Sequence, residues 1–107
     1  MLLIKRAQKH DTDAFIQLIE EYKTALYKVA KTYLKNEEDV ADVIQGTILS
    51  AYEHIGELKT VSYFKTWLIR ILINHCTDVV RQQKRVVSME QAEEQTGTFL
   101  ESDYEFY

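Results

Sequence analysis

The chain has 107 residues, of which 46% are apolar and none is proline, and its formal net charge is -4 at pH 7. This size and composition fit one domain with a single core and favour helix over sheet. No run approaches the roughly 20 apolar residues that span a bilayer, and the N-terminal apolar patch precedes its charges, the reverse of a secretion signal. We therefore expect a cytoplasmic protein without membrane insertion. The single cysteine, Cys76, cannot form an internal disulfide and is expected in the core.

The charge is distributed unevenly along the chain. Residues 1–87 carry all 13 lysines and arginines and 11 of the acidic residues, whereas residues 88–107 carry six acidic residues and no basic one. The first part is mildly basic and the second strongly acidic. The net charge alone therefore does not exclude nucleic acid as a partner.

Two helices are predicted in the first third of the chain. A short one covers Leu2 to Lys9, and Asp11 or Thr12 can cap the next by accepting its free amide hydrogens. Apolar side chains at three- and four-residue spacing then predict a helix running to about Leu34. Its buried stripe comprises Phe15, Leu18, Ile19, Tyr22, Leu26, Val29, Ala30 and Tyr33.

A third helix follows the stretch KNEED, in which Asn36 is the expected cap and the acidic residues suit the positive end of the helix dipole. It fades near Ile55 and Gly56, and a loop of about six residues leads to Ser62, the expected cap of the last helix. The predicted buried residues of the third helix are Val40, Val43, Ile44, Thr47, Ile48, Ala51 and Tyr52.

The last helix has two contrasting faces and its pattern stops after Arg85. Its apolar face comprises Phe64, Trp67, Leu68, Ile71, Leu72, His75 and Val79. A polar stripe within a sector of about 80° comprises Thr66, Arg70, Asn74, Thr77, Arg81 and Lys84. The fold class is therefore all-α: a compact three-helix core plus a short N-terminal helix in residues 1–87, and an acidic linker or tail in residues 88–107. Ser88 and Gln91 would allow a helical turn or two in that tail.

Catalytic and metal sites are not expected. The three histidines share no ligand spacing, and the neighbouring His75 and Cys76 side chains point about 100° apart on a helix. The chain has no glycine-rich phosphate loop and no serine or cysteine with an evident base. We predict no enzyme, no metal and no cofactor.

Two surfaces remain as candidate interaction sites. The stripe through Arg70, Asn74 and Arg81 is either an ordinary solvated face or, with the aromatic residues of SYFKTW, a site for single-stranded nucleic acid. The second surface is one face of the third helix, which is acidic and carries one exposed leucine. This face is either merely solvated or suited to a basic partner helix. It comprises Asp39, Asp42, Gln45, Leu49 and Glu53.

The segments DVIQGTILSAY (42–52) and SYFKTWLIRILIN (62–74) resemble the signature sequences of a known protein family. In order and spacing, residues 10 to 87 are similar to region 2 of bacterial sigma factors, and most similar to the extracytoplasmic-function (ECF) group. The resemblance implies a transcription-initiation domain that binds core RNA polymerase and recognises and helps melt the promoter minus-ten element as a single non-template strand.

The resemblance also assigns residues to each partner. Contact with the clamp helices of the polymerase β′ subunit is expected from Asp39, Asp42, Gln45 and Leu49. DNA contact is expected from Leu58, Lys59, Thr60, Val61, Ser62, Lys65, Trp67, Arg70, Asn74 and Arg81. Within this set, the loop Leu58 to Ser62 is expected to form the wall of a pocket for one base, and Asn74 to line the surface that contacts the bases. The lysines and arginines are expected to bind phosphates. Trp67 matches the melting-region tryptophan and can equally support the loop, and Arg70 can equally brace the fold.

The chain departs from the family pattern at several points. Gly46 stands where glutamate is usual, and Ile48 replaces phenylalanine. The helix-turn-helix of region 4 is absent from the sequence, so the chain is either an excised domain or a natural stand-alone region 2. We expect a monomer when isolated and an anti-sigma factor as a further partner. The alternative is a helical protein-interaction module that does not read DNA.

Overall fold

The computed structural model describes residues 2–91, with side chains for residues 2–85. Over these residues the chain forms four α-helices, α1 (Leu2–Gln8), α2 (Thr12–Tyr33), α3 (Glu37–His54) and α4 (Phe64–Gln91). Two short 3-10 turns, Ile55–Glu57 and Val61–Tyr63, lie between α3 and α4. Helices α2, α3 and α4 pack on one another, and α1 packs on α2 and on the first 3-10 turn. The predicted all-α fold is confirmed.

The starts of α2 and α3 are fixed by the predicted capping residues. The side chain of Asp11 accepts a hydrogen bond from the amide of Ala14 at 3.1 Å, and that of Asn36 accepts from the amide of Glu38 at 2.7 Å. The prediction that Ser62 caps the last helix was wrong. Ser62 lies inside the second 3-10 turn, which continues directly into α4.

The core lies where the three long helices meet. Leu26 of α2, Val40 of α3, and Leu68 and Leu72 of α4 are fully buried, and so is Cys76, as predicted. Two aromatic residues predicted to be in the core are instead exposed, Tyr33 at 42% and Tyr52 at 37%. Both lie at an edge of a helix's apolar stripe, where coverage depends on the angle of the neighbouring helix.

The short helix α1 is attached to α2 by a tight corner. His10 adopts a positive φ of 69°, which reverses the chain direction at a cost in backbone strain for a residue with a side chain. The guanidinium of Arg6 donates through Nε (3.0 Å) and Nη2 (2.9 Å) to one carboxylate oxygen of Asp11. The α2 cap and the α1 helix are therefore held together by the same carboxylate.

Helix α4 is longer than the sequence pattern indicated. It continues to Gln91, six residues beyond the predicted end at Arg85. The proposed boundary between residues 87 and 88 thus falls within a continuous helix, and most of the acidic segment 88–107 lies outside the described residues. No helix in the described part of the chain is both long and apolar enough to cross a membrane.

Candidate nucleic-acid interface

A groove of about 670 Å³ runs along the exposed side of α4 and is closed at one side by Tyr33 at the end of α2. Its floor is apolar and includes Ile69, Ile73 and Val80, while cationic side chains stand along its length. Its lining comprises Tyr33, Lys65, Thr66, Ile69, Arg70, Ile73, Asn74, Thr77, Val80 and Lys84. Three of the predicted DNA-binding residues, Lys65, Arg70 and Asn74, are therefore brought together in one concave surface. An apolar floor beside cations suits unstacked bases and their phosphates.

Asn74 is a polar residue of this groove whose side-chain oxygen has no hydrogen-bond partner among the described residues. This oxygen, Oδ1, is buried. A buried acceptor left without a partner costs about 1–3 kcal/mol. The residue also lines the groove, so its side chain borders the space in which a base edge would lie.

The two arginines of the predicted polar stripe have different environments. Arg70 is exposed, and within the described part of the chain it forms no salt bridge, so its guanidinium is accessible to an anion. The expectation that Arg81 lies on an exposed stripe was wrong: it is only 4% exposed, and its Nη1 donates to Asp78 at 3.0 Å. Arg81 lies at the edge of the polar stripe, and its side chain, guanidinium included, is covered by the fold because coverage at such an edge depends on the neighbouring helices.

The loop between α3 and α4 lies next to the start of the groove. Lys59, Thr60 and Ser62 are exposed, whereas Leu58 and Val61 are partly buried against the core. The 3-10 geometry is closed by a backbone hydrogen bond of 3.0 Å from the amide of Tyr63 to the carbonyl of Thr60. The loop therefore combines an ordered backbone with polar side chains that face solvent.

Trp67 lies at the border between the core and the surface. Its ring centroid is 5.7 Å from that of the fully buried Phe64, which in turn makes an edge contact of 5.4 Å with Tyr22. The indole is partly buried, so one side supports the core while the rest remains accessible. This position is compatible with both roles expected for Trp67.

The structure adds two tyrosines that are not among the predicted DNA-binding residues, although one of them belongs to the SYFKTW segment. Tyr33 was expected in the core but lines the groove, and Tyr63, at 64% exposure, projects from the turn that precedes α4. Exposed aromatic rings beside cations are typical of surfaces on which unpaired bases stack. The sequence signal for Tyr63 was its position within SYFKTW, between Lys59 and Lys65.

The acidic face of α3 is only partly free. Asp42, Gln45 and Leu49 are exposed, Leu49 at 61%, and share one side of the helix. Asp39 differs, because its Oδ2 accepts a hydrogen bond of 3.0 Å from Gln83 of α4. Gln45 also borders a second groove, of about 650 Å³, between α2 and α3. The exposed part of the predicted polymerase surface is thus Asp42, Gln45 and Leu49.

The part of the chain described by the structure contains no group of three or more His, Cys, Asp or Glu residues placed to hold a metal ion.

Comparison with known proteins identifies the family. Residues 18–86 match the model of sigma-70 region 2. The chain is 33% identical over 81 residues to the ECF RNA polymerase sigma factor SigW of Bacillus subtilis (strain 168), covering 76% of this chain and 43% of that protein. It is 31% identical over 83 residues to the ECF RNA polymerase sigma-E factor of Haemophilus influenzae, covering 78% of this chain and 43% of the relative.

Two solved structures share the fold. An engineered region 2 of sigmaE, determined in complex with GTAAAA, superposes with a TM-score of 0.71 at 31% identity and covers 78% of this chain and 87% of its own. CnrH, determined in complex with the cytosolic domain of CnrY, superposes with a TM-score of 0.68 at 27% identity and covers 90% of this chain and 66% of its own.

The chain therefore belongs to the sigma-70 region 2 family, and its relatives are sigma factors of the ECF group, as the sequence resemblance predicted. This family supplies transcription initiation factors that are not enzymes. The chain spans less than half the length of SigW and of the Haemophilus sigma-E factor.

Proposed function

We propose that this domain docks on the β′ clamp helices of core RNA polymerase and holds the melted non-template strand of a promoter minus-ten element. The exposed side of α3, with Asp42, Gln45 and Leu49, is the polymerase surface. The loop Leu58–Ser62 and the α4 groove are the DNA surface. The observation that carries the proposal is the groove that unites Lys65, Arg70 and Asn74 beside this loop.

The chemistry of the groove supports a single strand as its ligand. Its apolar floor and the rings of Tyr33 and Tyr63 offer contacts to base faces, Lys65 and Arg70 attract phosphates, and Asn74 offers a hydrogen bond to a base edge. The structural neighbour, an engineered region 2 of sigmaE, was solved in complex with GTAAAA, which supports a nucleic acid as the ligand. In this proposal Trp67 supports the pocket from its partly buried position.

The charge of the domain sets the expected strength of binding. Residues 1–87 have two more basic than acidic residues, so phosphate attraction is modest. Each phosphate contact adds about 0.7 to the slope of log affinity against log salt for a single strand, and a few contacts give weak, salt-sensitive binding. We expect the isolated domain to bind DNA poorly and polymerase to position it for productive contact.

A selection experiment tests the DNA part of the proposal. Single-stranded DNA with a short randomised stretch is retained on the immobilised full chain at low salt and sequenced before and after retention. The parent should enrich particular bases, and Asn74→Ala should lose enrichment at one position while still retaining DNA. Gln82→Ala, an exposed position on α4, is the matched control and should behave as the parent does. Equal representation of all bases with the parent would contradict base reading.

An anti-sigma factor is a further proposed partner. The support is the neighbour CnrH, which was solved in complex with the cytosolic domain of CnrY. The two grooves beside α3 and α4 offer apolar floors for a partner segment. A helical interaction module without DNA reading would retain such a partner, yet would show no base enrichment in the selection experiment.

A further inference from the structure

The side chain of Gln8 in α1 connects two segments that are about 50 residues apart in sequence. Its Nε2 donates to the carbonyl oxygen of Ile55 at 3.0 Å and to that of Leu58 at 2.8 Å. Both bonds are partly buried, so water competes for them less than at the surface. Gln8 therefore ties α1 to the first 3-10 turn and to the first residue of the proposed base-pocket loop.

The conformation of the backbone at Ile55 and Leu58 depends on the hydrogen bonds from Gln8. The amide of Leu58 donates to the carbonyl of Ile55 at 3.2 Å, so the same carbonyl accepts from the loop and from Gln8. The carbonyl of Leu58 points towards α1 to reach the amide of Gln8. A loop of three residues, Leu58–Thr60, between two 3-10 turns gains its fixed geometry from few backbone bonds, and Gln8 supplies two more.

Helix α1 is held firmly enough to act as an anchor. Ile4 and Ala7 are buried in the common core, and the Arg6–Asp11 pair joins α1 to the capped start of α2. At the other end, a Cβ atom added to Gly56 would lie 4.0 Å from the carbonyl oxygen of Gln8, so α1 is in direct contact with the turn. The match to the sigma-70 region 2 model begins only at residue 18, so α1 lies outside it.

From these contacts we infer that Gln8 is a positioning residue for base recognition: its two hydrogen bonds set the conformation of the Leu58–Ser62 loop. The inference rests on the proposed function, since it assigns to α1 the task of shaping the pocket that the loop walls. Gln8 itself does not contact DNA in this account. It acts on specificity through the loop backbone, whereas affinity for phosphates comes from Lys65 and Arg70 on α4.

The test uses the full chain and two substitutions that conserve side-chain size. Gln8→Met removes the donor, and Gln8→Glu replaces it with a carboxylate that cannot donate at neutral pH and faces two carbonyl oxygens. Gln17→Met, an exposed position on α2, is the matched control. Amide hydrogen exchange at Leu58 and Tyr63 reports loop order, and the selection from randomised single strands reports base preference.

Loss of two hydrogen bonds should speed exchange at Leu58 by about tenfold or more in both Gln8 variants. Base enrichment should fall towards that of the input pool, while total DNA retained at low salt stays within about twofold of the parent, because the cations are unchanged. Unchanged exchange at Leu58, or unchanged base preference in a loosened loop, would overturn the inference. A parent without base preference would instead refute the proposed function, and with it the positioning role of Gln8, whatever the exchange rates.

Discussion

The imidazole of His75 on α4 lies directly over the backbone of Gly46 on α3. A Cβ atom at position 46 would lie 3.2 Å from Cε1 and 3.3 Å from Nδ1 of that ring, closer than side chains ordinarily pack. The ring's Nε2 is 3.3 Å from the hydroxyl of Ser50, one turn further along α3. Gly46 therefore marks a close approach of two helices, and any residue with a Cβ atom at this position would require the imidazole to shift by a few tenths of an ångström.

This contact predicts that positions 46 and 75 are energetically coupled. In a His75→Ala background, Gly46→Ala should stabilise the fold by about 1 kcal/mol, the ordinary helix preference of alanine over glycine. In the parent the same substitution should gain at least about 0.5 kcal/mol less, because the ring must shift. Urea unfolding of the four chains of the cycle measures this, and equal effects in both backgrounds would refute the contact.

The two arginines of α4 should respond in opposite ways to substitution. Arg70→Ala should leave stability nearly unchanged and reduce the slope of log affinity against log salt by about 0.7 for a mixed-sequence single strand. Arg81→Ala should lower the free energy of unfolding by about 2 kcal/mol, because a buried, hydrogen-bonded side chain is lost. Salt titrations and urea unfolding separate the two effects. An unchanged salt slope for Arg70→Ala would exclude Arg70 as a phosphate contact.

The α2 cap should make stability depend on pH in the acidic range. The hydrogen bond from the Ala14 amide, and then the Arg6 guanidinium, lower the pKa of Asp11 below its ordinary 3.8. Because the folded pKa is the lower one, this contribution is complete above the ordinary pKa and is lost as the pH falls through the folded value. Asp11→Asn retains a capping oxygen but cannot titrate. Urea midpoints should therefore fall less between pH 5 and pH 2 in Asp11→Asn than in the parent, and parallel curves would contradict this.

Cys76 should be inert in the folded protein. Burial raises the pKa of its thiol from 9.0 to about 11, and the side chain has no exposed surface. The thiolate fraction at pH 8 should then be about a hundredfold below that of a thiol with a pKa of 9, and access is blocked as well. Alkylation with iodoacetamide should be slow in buffer and fast in concentrated urea. Similar rates in both solutions would show that the core around Cys76 opens readily.

The helices and two of the caps followed from the sequence because their causes are local. Three- and four-residue spacing of apolar side chains identifies the face of α2 that contains Leu18 and Leu26, and a side-chain oxygen at Asp11 or Asn36 bonds amides only two or three residues away. The second 3-10 turn was not predicted, because it includes Ser62 and no side chain caps its start, so the sequence carries no local signal for it. Its formation depends on how α3 and α4 are joined.

Features that depend on how the helices are arranged were harder to predict. Tyr33 and Arg81 both fit a helical stripe, yet the tyrosine faces the groove and the arginine is buried, because coverage at a stripe's edge depends on neighbouring helices. The bonds from Gln8 to Ile55 and Leu58 join distant segments, and a glutamine in a short helix gives no sequence signal for them. The groove itself is a property of packing, although three of its residues had been assigned to DNA from the resemblance.

The central claim is that the exposed side of α3 docks on RNA polymerase. The most direct measurement is binding of the full chain to a recombinant β′ clamp-helix fragment, with helical content checked by circular dichroism. Asp42→Arg should weaken binding by at least about tenfold by reversing a charge within the interface, and Leu49→Ala should weaken it too. Glu21→Arg, which makes the same reversal at an exposed position of α2, should bind as the parent does. No binding by the parent, or equal binding by the Asp42 and Glu21 variants, would contradict the account.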